Sequence, residues 1–242
     1  MSKLENLPKA TITERRDLSD DLMVIKIETP EPFTFKAGQY ITIGLDNVER
    51  PYSIASSPRE PFVELFVELV PRGSLTPKLW KLKPGDLVSY RPLAKGGFTF
   101  DGSCSHHLMV STVTGVVPYV SMLRQMLYHG VNGHKFYILQ GARYHDELAY
   151  DRELAAMSAG NPDKIIYIPT ISGPGDPRNA GWEGAVGRVN AIAEDWTTRW
   201  GLDPIKDRVL VYACGNPGMI EDVKARFQPK GWKIKVERFW KD

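Results

Sequence analysis

Cysteine is scarce in this 242-residue chain, which contains Cys104, Cys214 and no Cys-x-x-Cys pair. A four-cysteine iron–sulfur cluster needs twice as many thiols, so the chain cannot build such a centre alone. The wide separation of the two cysteines favours free thiols in a reducing compartment over a structural disulfide.

Long apolar runs and a large net charge are lacking as well. No stretch approaches the ~18 apolar residues of a membrane span, and the first residues lack the apolar core of a signal peptide. We expect a cytoplasmic protein with no membrane partner, and a monomer. The 31 Lys and Arg residues face 29 Asp and Glu residues, a formal charge of +2, which excludes a general nucleic-acid binder.

Several catalytic signatures are also missing. The five histidines show no spacing with acids or cysteines that would hold a metal ion. A nucleophile elbow, a Walker A motif and a zinc-protease HExxH motif do not occur. The composition, with 42% apolar and 25% charged residues, is that of a globular protein long enough for two domains.

Two halves of the chain differ in periodicity. Short β-branched and aromatic runs, separated by turn residues, predict an antiparallel β-barrel over residues 1–102. Buried-type strands then alternate with helix-length segments, one of them at 147–157. This alternation predicts a doubly wound parallel α/β domain over residues 103–242, which binds ligands at the carboxyl ends of its strands. The pairing indicates one cofactor for each domain.

Two segments of the first half carry groups that suit a flavin nucleotide. Residues 50–53 (RPYS) offer a cation in Arg50, an aromatic plane in Tyr52 and a hydroxyl in Ser53. Residues 71–76 (PRGSLT) precede a short predicted helix, where backbone amides and two hydroxyls can hold a pyrophosphate. The alternative for residues 50–53 is an ordinary strand with an exposed arginine.

These segments resemble the two FAD signatures of the ferredoxin–NADP+ reductase family, in particular its compact bacterial branch. The resemblance continues in family order through residues 111–124, 141–150, 214–220 and 236–240, and covers nearly the whole chain. It implies an FAD-binding barrel, an NADP-binding α/β domain, and electron exchange with ferredoxin or flavodoxin.

The resemblance also assigns roles to individual residues. The implied FAD contacts are Arg50, Pro51, Tyr52, Ser53, Val67, Glu68, Leu69, Ser74, Leu75, Thr76, Thr114 and Trp240, the last against the adenine. The implied NADP contacts are Thr112, Thr114, Gly115, Arg143, Ser172, Arg188, Cys214, Gly215, Asn216 and Pro217. Ser53, Cys214 and Glu237 are expected beside the reacting rings as orienting and hydrogen-bonding groups, with Cys214 not a covalent nucleophile. Arg143 and Arg188 suit the 2′-phosphate of NADP, because a guanidinium makes two charged hydrogen bonds to phosphate.

Two positions depart from the family pattern. Val113 stands where the family has a glycine, and a β-branched residue is poor at positive φ. Either the turn needs no glycine there or nicotinamide docking is altered. Gly173 stands where the family continues with an arginine, which weakens the expected preference for NADP over NAD without reversing it.

Because of these two departures from the family pattern, three functions remain candidates. The first is a ferredoxin (flavodoxin)–NADP+ reductase. The second is an NAD(P)H-dependent reductase component of an oxygenase, or a free-flavin reductase. The third is a redox sensor that binds FAD without turnover.

A basic segment in the first half predicts a docking face for an acidic electron carrier. Residues 71–95 hold six basic side chains against Asp86 alone. These six are Arg72, Lys78, Lys81, Lys83, Arg91 and Lys95. A solvated lysine-rich face is the alternative.

Overall fold

A computed structural model describes residues 6–130 and 132–238, so Trp240 lies outside the described residues. The chain divides into two units. The first unit holds the residues up to Phe100 together with Val117–Tyr128. The second holds Asp101–Val116 and the residues from His129 onward.

The first unit is an antiparallel sheet in which β2 and β5 are buried at almost every position, whereas β1 alternates in part. Its strands are β1 (Lys9–Asp17), β2 (Leu22–Glu28), β3 (Tyr40–Leu45), β4 (Val48–Ser53), β5 (Val63–Glu68) and β6 (Leu87–Tyr90). They pair in the order β4-β3-β6-β1-β2-β5. An antiparallel bridge between Ile54 and Leu65 links the segment after β4 to β5. The predicted antiparallel barrel is confirmed.

A short helix, α1 (Thr76–Leu79), interrupts the barrel after β5. Pro77 stands in its first turn, where a missing N–H costs nothing. Arg15 of β1 donates to the carbonyls of Trp80 and Leu82, both at 2.7 Å, beyond the end of the helix. This cation satisfies carbonyls that the helix leaves unpaired and fixes α1 against the sheet.

The longest helix, α2 (Val117–His129), packs almost entirely with the first unit although it follows a strand of the second. Ser121 donates to the carbonyl of Ser56 at 2.7 Å. Arg124 lies 3.1 Å from the carboxylate of Glu64, which is buried in the barrel. Because a buried carboxylate is costly without a cation, this pair ties α2 to β5.

The second unit is a parallel sheet covered by helices. Its strands are β7 (His106–Thr112), β8 (Lys135–Ala142), β9 (Ile165–Ile171), β10 (Ala185–Val186), β11 (Val209–Gly215) and β12 (Lys233–Arg238). Its helices are α3 (Asp151–Gly160), α4 (Val189–Arg199) and α5 (Pro217–Phe227). The order β10-β9-β8-β7-β11-β12 confirms the predicted doubly wound class. Strand order reverses between β7 and β11, and ligands of such sheets bind beside the strand ends at that reversal.

The helix predicted over residues 147–157 is wrong in its start. A 3₁₀ turn covers His145–Glu147, and α3 begins only at Asp151. Tyr150 lies between them with φ of +64°, in the left-handed region. A left-handed residue cannot continue a right-handed helix, so the backbone breaks there. Among the described residues, no helix is long and apolar enough to cross a membrane.

His107 is a buried histidine near the amino-terminal end of this sheet. Its Nε2 lies 3.1 Å from Nδ1 of His134, and its ring stacks on Phe136 at 4.9 Å between centroids. Burial, reinforced by the charges of His134 and His106, lowers the pKa of His107 to about 3, against a small opposing effect of Asp101. Between about pH 3 and 6.5, the imidazole is therefore neutral in the folded protein but binds a proton in the unfolded chain.

We expect this histidine to make the second unit less stable in acid. Since the unfolded state binds the proton below pH 6.5, stability is complete above that value and is lost as pH falls toward 3, by about 1.4 kcal/mol per pH unit. Thermal unfolding of wild type and His107→Gln across this range measures the difference in slope. His129→Gln, at an exposed histidine, is the control. Equal slopes for wild type and His107→Gln would refute the assignment.

Candidate functional site

Arg50 and Ser74 come from separate motifs and meet on the surface of the barrel. The guanidinium of Arg50 donates one hydrogen bond to the carbonyl oxygen of Glu49 at 2.7 Å and another to Oγ of Ser74 at 2.9 Å. Both acceptors are neutral, and within the described residues no carboxylate pairs with this guanidinium. The result is an exposed, oriented cation next to a hydroxyl, a donor set suited to phosphate oxygens.

The turn that carries Ser74 is held by its own contacts. Oγ1 of Thr76 accepts from the amide of Val70 at 2.9 Å and donates to the carbonyl of Val70 at 3.1 Å. A Cβ at Gly73 would lie 2.9 Å from that same carbonyl oxygen, so the turn closes tightly only with glycine. Leu75 is buried in the barrel core. Leu75 and Thr76 therefore present backbone, not side chains, to any ligand at this turn.

Most of the other residues that the resemblance assigns to FAD lie near the ends of β4 and β5. Tyr52 is half-buried against the barrel core, and burial raises the pKa of its phenol to about 12 despite the charge of Arg50. The hydroxyl thus stays protonated and can donate. Ser53 and Val67 are buried, whereas Pro51 is exposed and Glu68 and Leu69 are partly exposed.

The turns after β7 and β11 lock together at the strand reversal. The hydroxyl of Thr112 accepts from the amide of Asn216 at 2.8 Å. A Cβ at Gly115 would overlap the carbonyl oxygen of Cys214. Only glycine allows this approach, so the first turn lies directly against the end of β11. Thr114 lies in that turn, in the 3₁₀ segment Val113–Val116.

Val113 is the strained member of this turn. Its φ is +41°, a region where a β-branched residue is a rare outlier. Its side chain packs against a small cluster of Ala142, Leu148 and Ile171, together with Trp182. The turn does adopt the backbone that favours glycine, and apolar contacts offset part of the cost of placing valine there.

The turn after β11 also starts a helix. Asn216 accepts from the amide of Met219 at 3.3 Å and caps α5, and Pro217 follows in the first turn. The Asn216 side chain is thereby engaged within the fold, and the turn offers helix N-terminal backbone to an anion.

Cys214 lies in the middle of a polar row across the sheet. Its register partners are Ser111 on β7 and Glu237 on β12. Burial, with a smaller effect of the Glu237 charge, raises the pKa of the Cys214 thiol well above its usual value. A neutral buried thiol is a poor nucleophile, so the expectation that Cys214 forms no covalent bond has physical support.

Arg143, Ser172 and Arg188 leave three adjacent strands at the same level. Ala142 pairs with Ile171, and Ile171 with Val186, so the residues that follow β8, β9 and β10 gather at one edge. Arg143 and Arg188 are exposed, and no carboxylate of the described residues pairs with either. Two available guanidinium groups and the Ser172 hydroxyl make this edge suited to a phosphate group.

The sequence reasoning missed two residues at this edge. Asn179 is buried and bonds to the loops after both β8 and β9, and Arg178 lies beside it over the ring of Tyr144. Their positions depend on hydrogen bonds between distant segments. The available signal was only a polar Asp176–Asn179 stretch in a loop rich in glycine and proline.

The predicted basic face is less positive than the sequence window indicates. Lys78 pairs with Asp46 at 3.2 Å, and Arg91 pairs with Glu49 at 2.7 Å. The acids come from the β3–β4 hairpin, outside the window in which only Asp86 was counted. The exposed members without a carboxylate partner among the described residues are Arg72, Lys81, Lys83 and Lys95.

Within the described residues, no cluster of potential metal ligands occurs.

Two family models match the chain, one in each half. The oxidoreductase FAD-binding domain matches residues 9–98, and the oxidoreductase NAD-binding domain matches residues 109–225. Together with the fold, they define a flavoprotein oxidoreductase with one domain for FAD and one for a nicotinamide dinucleotide.

Known proteins narrow this class. The chain is 31% identical over 223 residues to the flavodoxin/ferredoxin–NADP reductase of Escherichia coli, covering 88% of this chain and 86% of that protein. It is 31% identical over 218 residues to the phenol hydroxylase P5 protein of Acinetobacter pittii, covering 88% of this chain and 59% of the relative. A ferredoxin NADP+ reductase from Neisseria gonorrhoeae, crystallised with FAD and NADP, shares the fold at a TM-score of 0.82 and 21% identity, covering 96% and 98% of the two chains. The chain belongs to the ferredoxin–NADP reductase family.

The strain at Val113 generates a stability prediction. At an ordinary helical position, a protein that carries glycine is less stable than the same protein with alanine by about 1 kcal/mol. At φ of +41° the order should reverse. Both substitutions remove the two methyl groups of valine, and glycine, although it also loses Cβ, relieves a left-handed cost of roughly 1–2 kcal/mol. We expect Val113→Gly to unfold at a higher temperature than Val113→Ala.

Thermal unfolding of both variants measures this order. Ala191→Gly, at an exposed position of α4, supplies the ordinary ranking in the same unit. A Val113→Ala protein more stable than Val113→Gly would show that the turn is not strained.

Proposed function

We propose that this chain is a ferredoxin (flavodoxin)–NADP+ reductase that oxidises NADPH and passes electrons singly to ferredoxin or flavodoxin. The observation that carries the proposal is the edge at the strand reversal. There the locked turns after β7 and β11 adjoin neutral Cys214, and Arg143 and Arg188 follow β8 and β10 of the same sheet, on either side of β9. The reverse reaction is chemically available to the same site.

On the barrel, the chain's task is to hold FAD and set its surroundings. Arg50 and Ser74 form the donor pair for the phosphates, and the protonated hydroxyl of Tyr52 donates from the same strand. FAD, when bound, accepts a hydride from a nicotinamide and releases electrons one at a time, which is the chemistry that this reaction needs.

On the parallel sheet, the chain's task is to orient the dinucleotide. The backbone at Thr114, Gly115 and Gly215 binds the pyrophosphate, because helix N-terminal amides there favour an anion. Arg143, Ser172 and Arg188 recognise the 2′-phosphate and so select NADP over NAD. Cys214 and Glu237 of this sheet and, separately, Ser53 of the barrel serve as orienting and hydrogen-bonding groups. None of them exchanges a proton, since hydride transfer needs no general acid.

Ferredoxin or flavodoxin would meet the basic face of the barrel unit. Arg72, Lys81, Lys83 and Lys95 give it positive charge that complements an acidic carrier, while Asp46 and Glu49 cancel the charges of Lys78 and Arg91. Exposed complementary charges act mainly on the association rate.

A reductase component of an oxygenase is the second candidate. The likeness to the phenol hydroxylase P5 protein supports it. That relative is longer than this chain, which covers 59% of it.

Anaerobic stopped-flow measurement tests the function in two half-reactions. We expect NADPH to bleach the flavin faster than NADH, with a salt dependence that does not follow the curve of ferredoxin reduction. Ferredoxin reduction should slow as salt rises to 0.1–0.15 M, because exposed charges about 8–10 Å apart are then screened. Lys81→Glu with Lys83→Glu should slow that step alone, and Lys164→Glu, an exposed lysine of the other unit, should not.

Other outcomes separate the alternatives. No bleaching by either nucleotide would mean an FAD-binding sensor. Faster bleaching by NADH without ferredoxin or flavodoxin reduction would favour the oxygenase component. Salt-insensitive ferredoxin reduction would remove the docking face but leave the reductase function.

Arg50 should be required for FAD retention. A charged hydrogen bond to phosphate contributes roughly 1.5–3 kcal/mol, so Arg50→Ala should weaken FAD binding about tenfold or more, and Arg50→Lys less. Flavin absorbance per protein after dialysis measures retention. Arg16→Ala, an exposed arginine on β1 of the same sheet, is the control. Full flavin content in Arg50→Ala would rule out this role.

A further inference from the structure

The loops after β8 and β9 form one rigid element through Asn179. Its Nδ2 donates to the carbonyls of Arg143 at 3.0 Å and Gly173 at 2.7 Å, and its Oδ1 accepts from the amide of His145 at 2.9 Å. The side chain is 3% exposed. A buried amide that uses both its donor and acceptor groups across two loops fixes their relative position.

The first of these loops is fixed a second time by Glu147. Its Oε2 accepts from the amides of Arg143 and Tyr144, both at 3.0 Å. The backbone that carries Arg143 is thus held from two sides, although its side chain is exposed. A fixed backbone suits a guanidinium that binds phosphate, because only side-chain entropy is then lost on binding.

Two guanidinium groups converge on Tyr144. The Cζ atom of Arg143 lies 5.2 Å from the ring centroid, and that of Arg178 lies 4.2 Å from it. Nε of Arg178 also donates to Oδ2 of Asp146 at 2.7 Å. Ring and carboxylate together orient Arg178 over the same ring that Arg143 contacts, and the ion pair neutralises Asp146.

Position 173, where the family pattern has an arginine, is closely packed. A Cβ at Gly173 would lie 3.2 Å from the carbonyl oxygen of Arg143, which is tighter than usual, and 3.6 Å from Nδ2 of Asn179, which is ordinary contact. A side chain at position 173 would therefore press on the backbone of Arg143. Arg178, next to Asn179 in the same loop, is a second source of positive charge.

We propose that Arg178 is a specificity-determining residue that binds the 2′-phosphate of NADP together with Arg143, in place of the arginine absent at position 173. This inference rests on the proposed function and adds a residue to it. Removing Arg178 would take away one cation and also expose the negative charge of Asp146, so a ligand with a 2′-phosphate should lose most.

Isothermal titration of the flavin-loaded protein tests this without turnover. The probes are adenosine 2′,5′-bisphosphate and adenosine 5′-monophosphate, which differ by the 2′-phosphate. For Arg178→Ala we expect about tenfold weaker binding of the bisphosphate and unchanged binding of the monophosphate, with Arg178→Lys intermediate. Arg199→Ala is the matched control, since Arg199 also stacks on a ring, that of Trp196, at 5.1 Å.

A double variant distinguishes direct contact of Arg178 with the 2′-phosphate from mere neutralisation of Asp146. Arg178→Ala with Asp146→Asn should recover only part of the bisphosphate affinity. Full recovery would overturn the proposal, because Arg178 would then act only by cancelling Asp146. An unchanged bisphosphate affinity in Arg178→Ala, or equal losses for both probes, would overturn it too.

Failure of this inference is distinguishable from failure of the function. If NADPH bleaches the wild-type flavin while Arg178→Ala binds the bisphosphate normally, only the proposed role of Arg178 is refuted. If wild type binds neither probe and NADPH does not bleach the flavin, the proposed function falls and this inference with it.

Discussion

The close approach of Gly115 to the carbonyl oxygen of Cys214 is the constraint on which the parallel unit depends. Because a side chain cannot fit between them, the end of β7 must turn directly over the end of β11. Thr112 and Asn216 can then share a hydrogen bond, and Asn216 can cap α5 from the same position. The unfavourable φ of Val113 follows from the same tight geometry.

This constraint makes the strand edge rigid before any ligand arrives. The turns after β7 and β11 are joined by hydrogen bonds and packing, and Asn179 joins the loops after β8 and β9. Preorganisation of this kind lowers the entropic cost of binding a flexible dinucleotide. It also explains why so many polar side chains here contact the protein itself and leave backbone groups to face a ligand.

The architecture was predictable because each half has one dominant period. The barrel shows short β-branched and aromatic runs separated by turn residues. In the second half, apolar runs such as Val209–Tyr212 are long enough to be buried parallel strands. Local backbone choices were not predictable in this way. Tyr150 breaks the helix predicted over 147–157, and nothing in its neighbours' pattern signals a left-handed residue.

The positions of charged groups were also not predictable from local sequence, because ion pairs form between distant segments. Counting residues 71–95 gave six cations and one acid, but folding brings in Asp46 and Glu49 from another hairpin. Conversely, the candidate site gains Arg178 because hydrogen bonds fold its loop back toward Arg143. Local sequence indicates which groups exist, whereas long-range contacts decide which of them remain available to a partner.

The packing of α2 with the barrel has a consequence for how this protein can be divided or recombined. The chain leaves the barrel unit near Phe100, forms β7, and returns for Val117–Tyr128 before completing the parallel unit. A fragment ending at the last barrel strand would lack Arg124 and leave Glu64 without its cation in the core. The two cofactor domains are thus separate in sequence pattern but not interchangeable modules, and a chimaera that grafts a new nucleotide domain must keep this helix matched to the barrel.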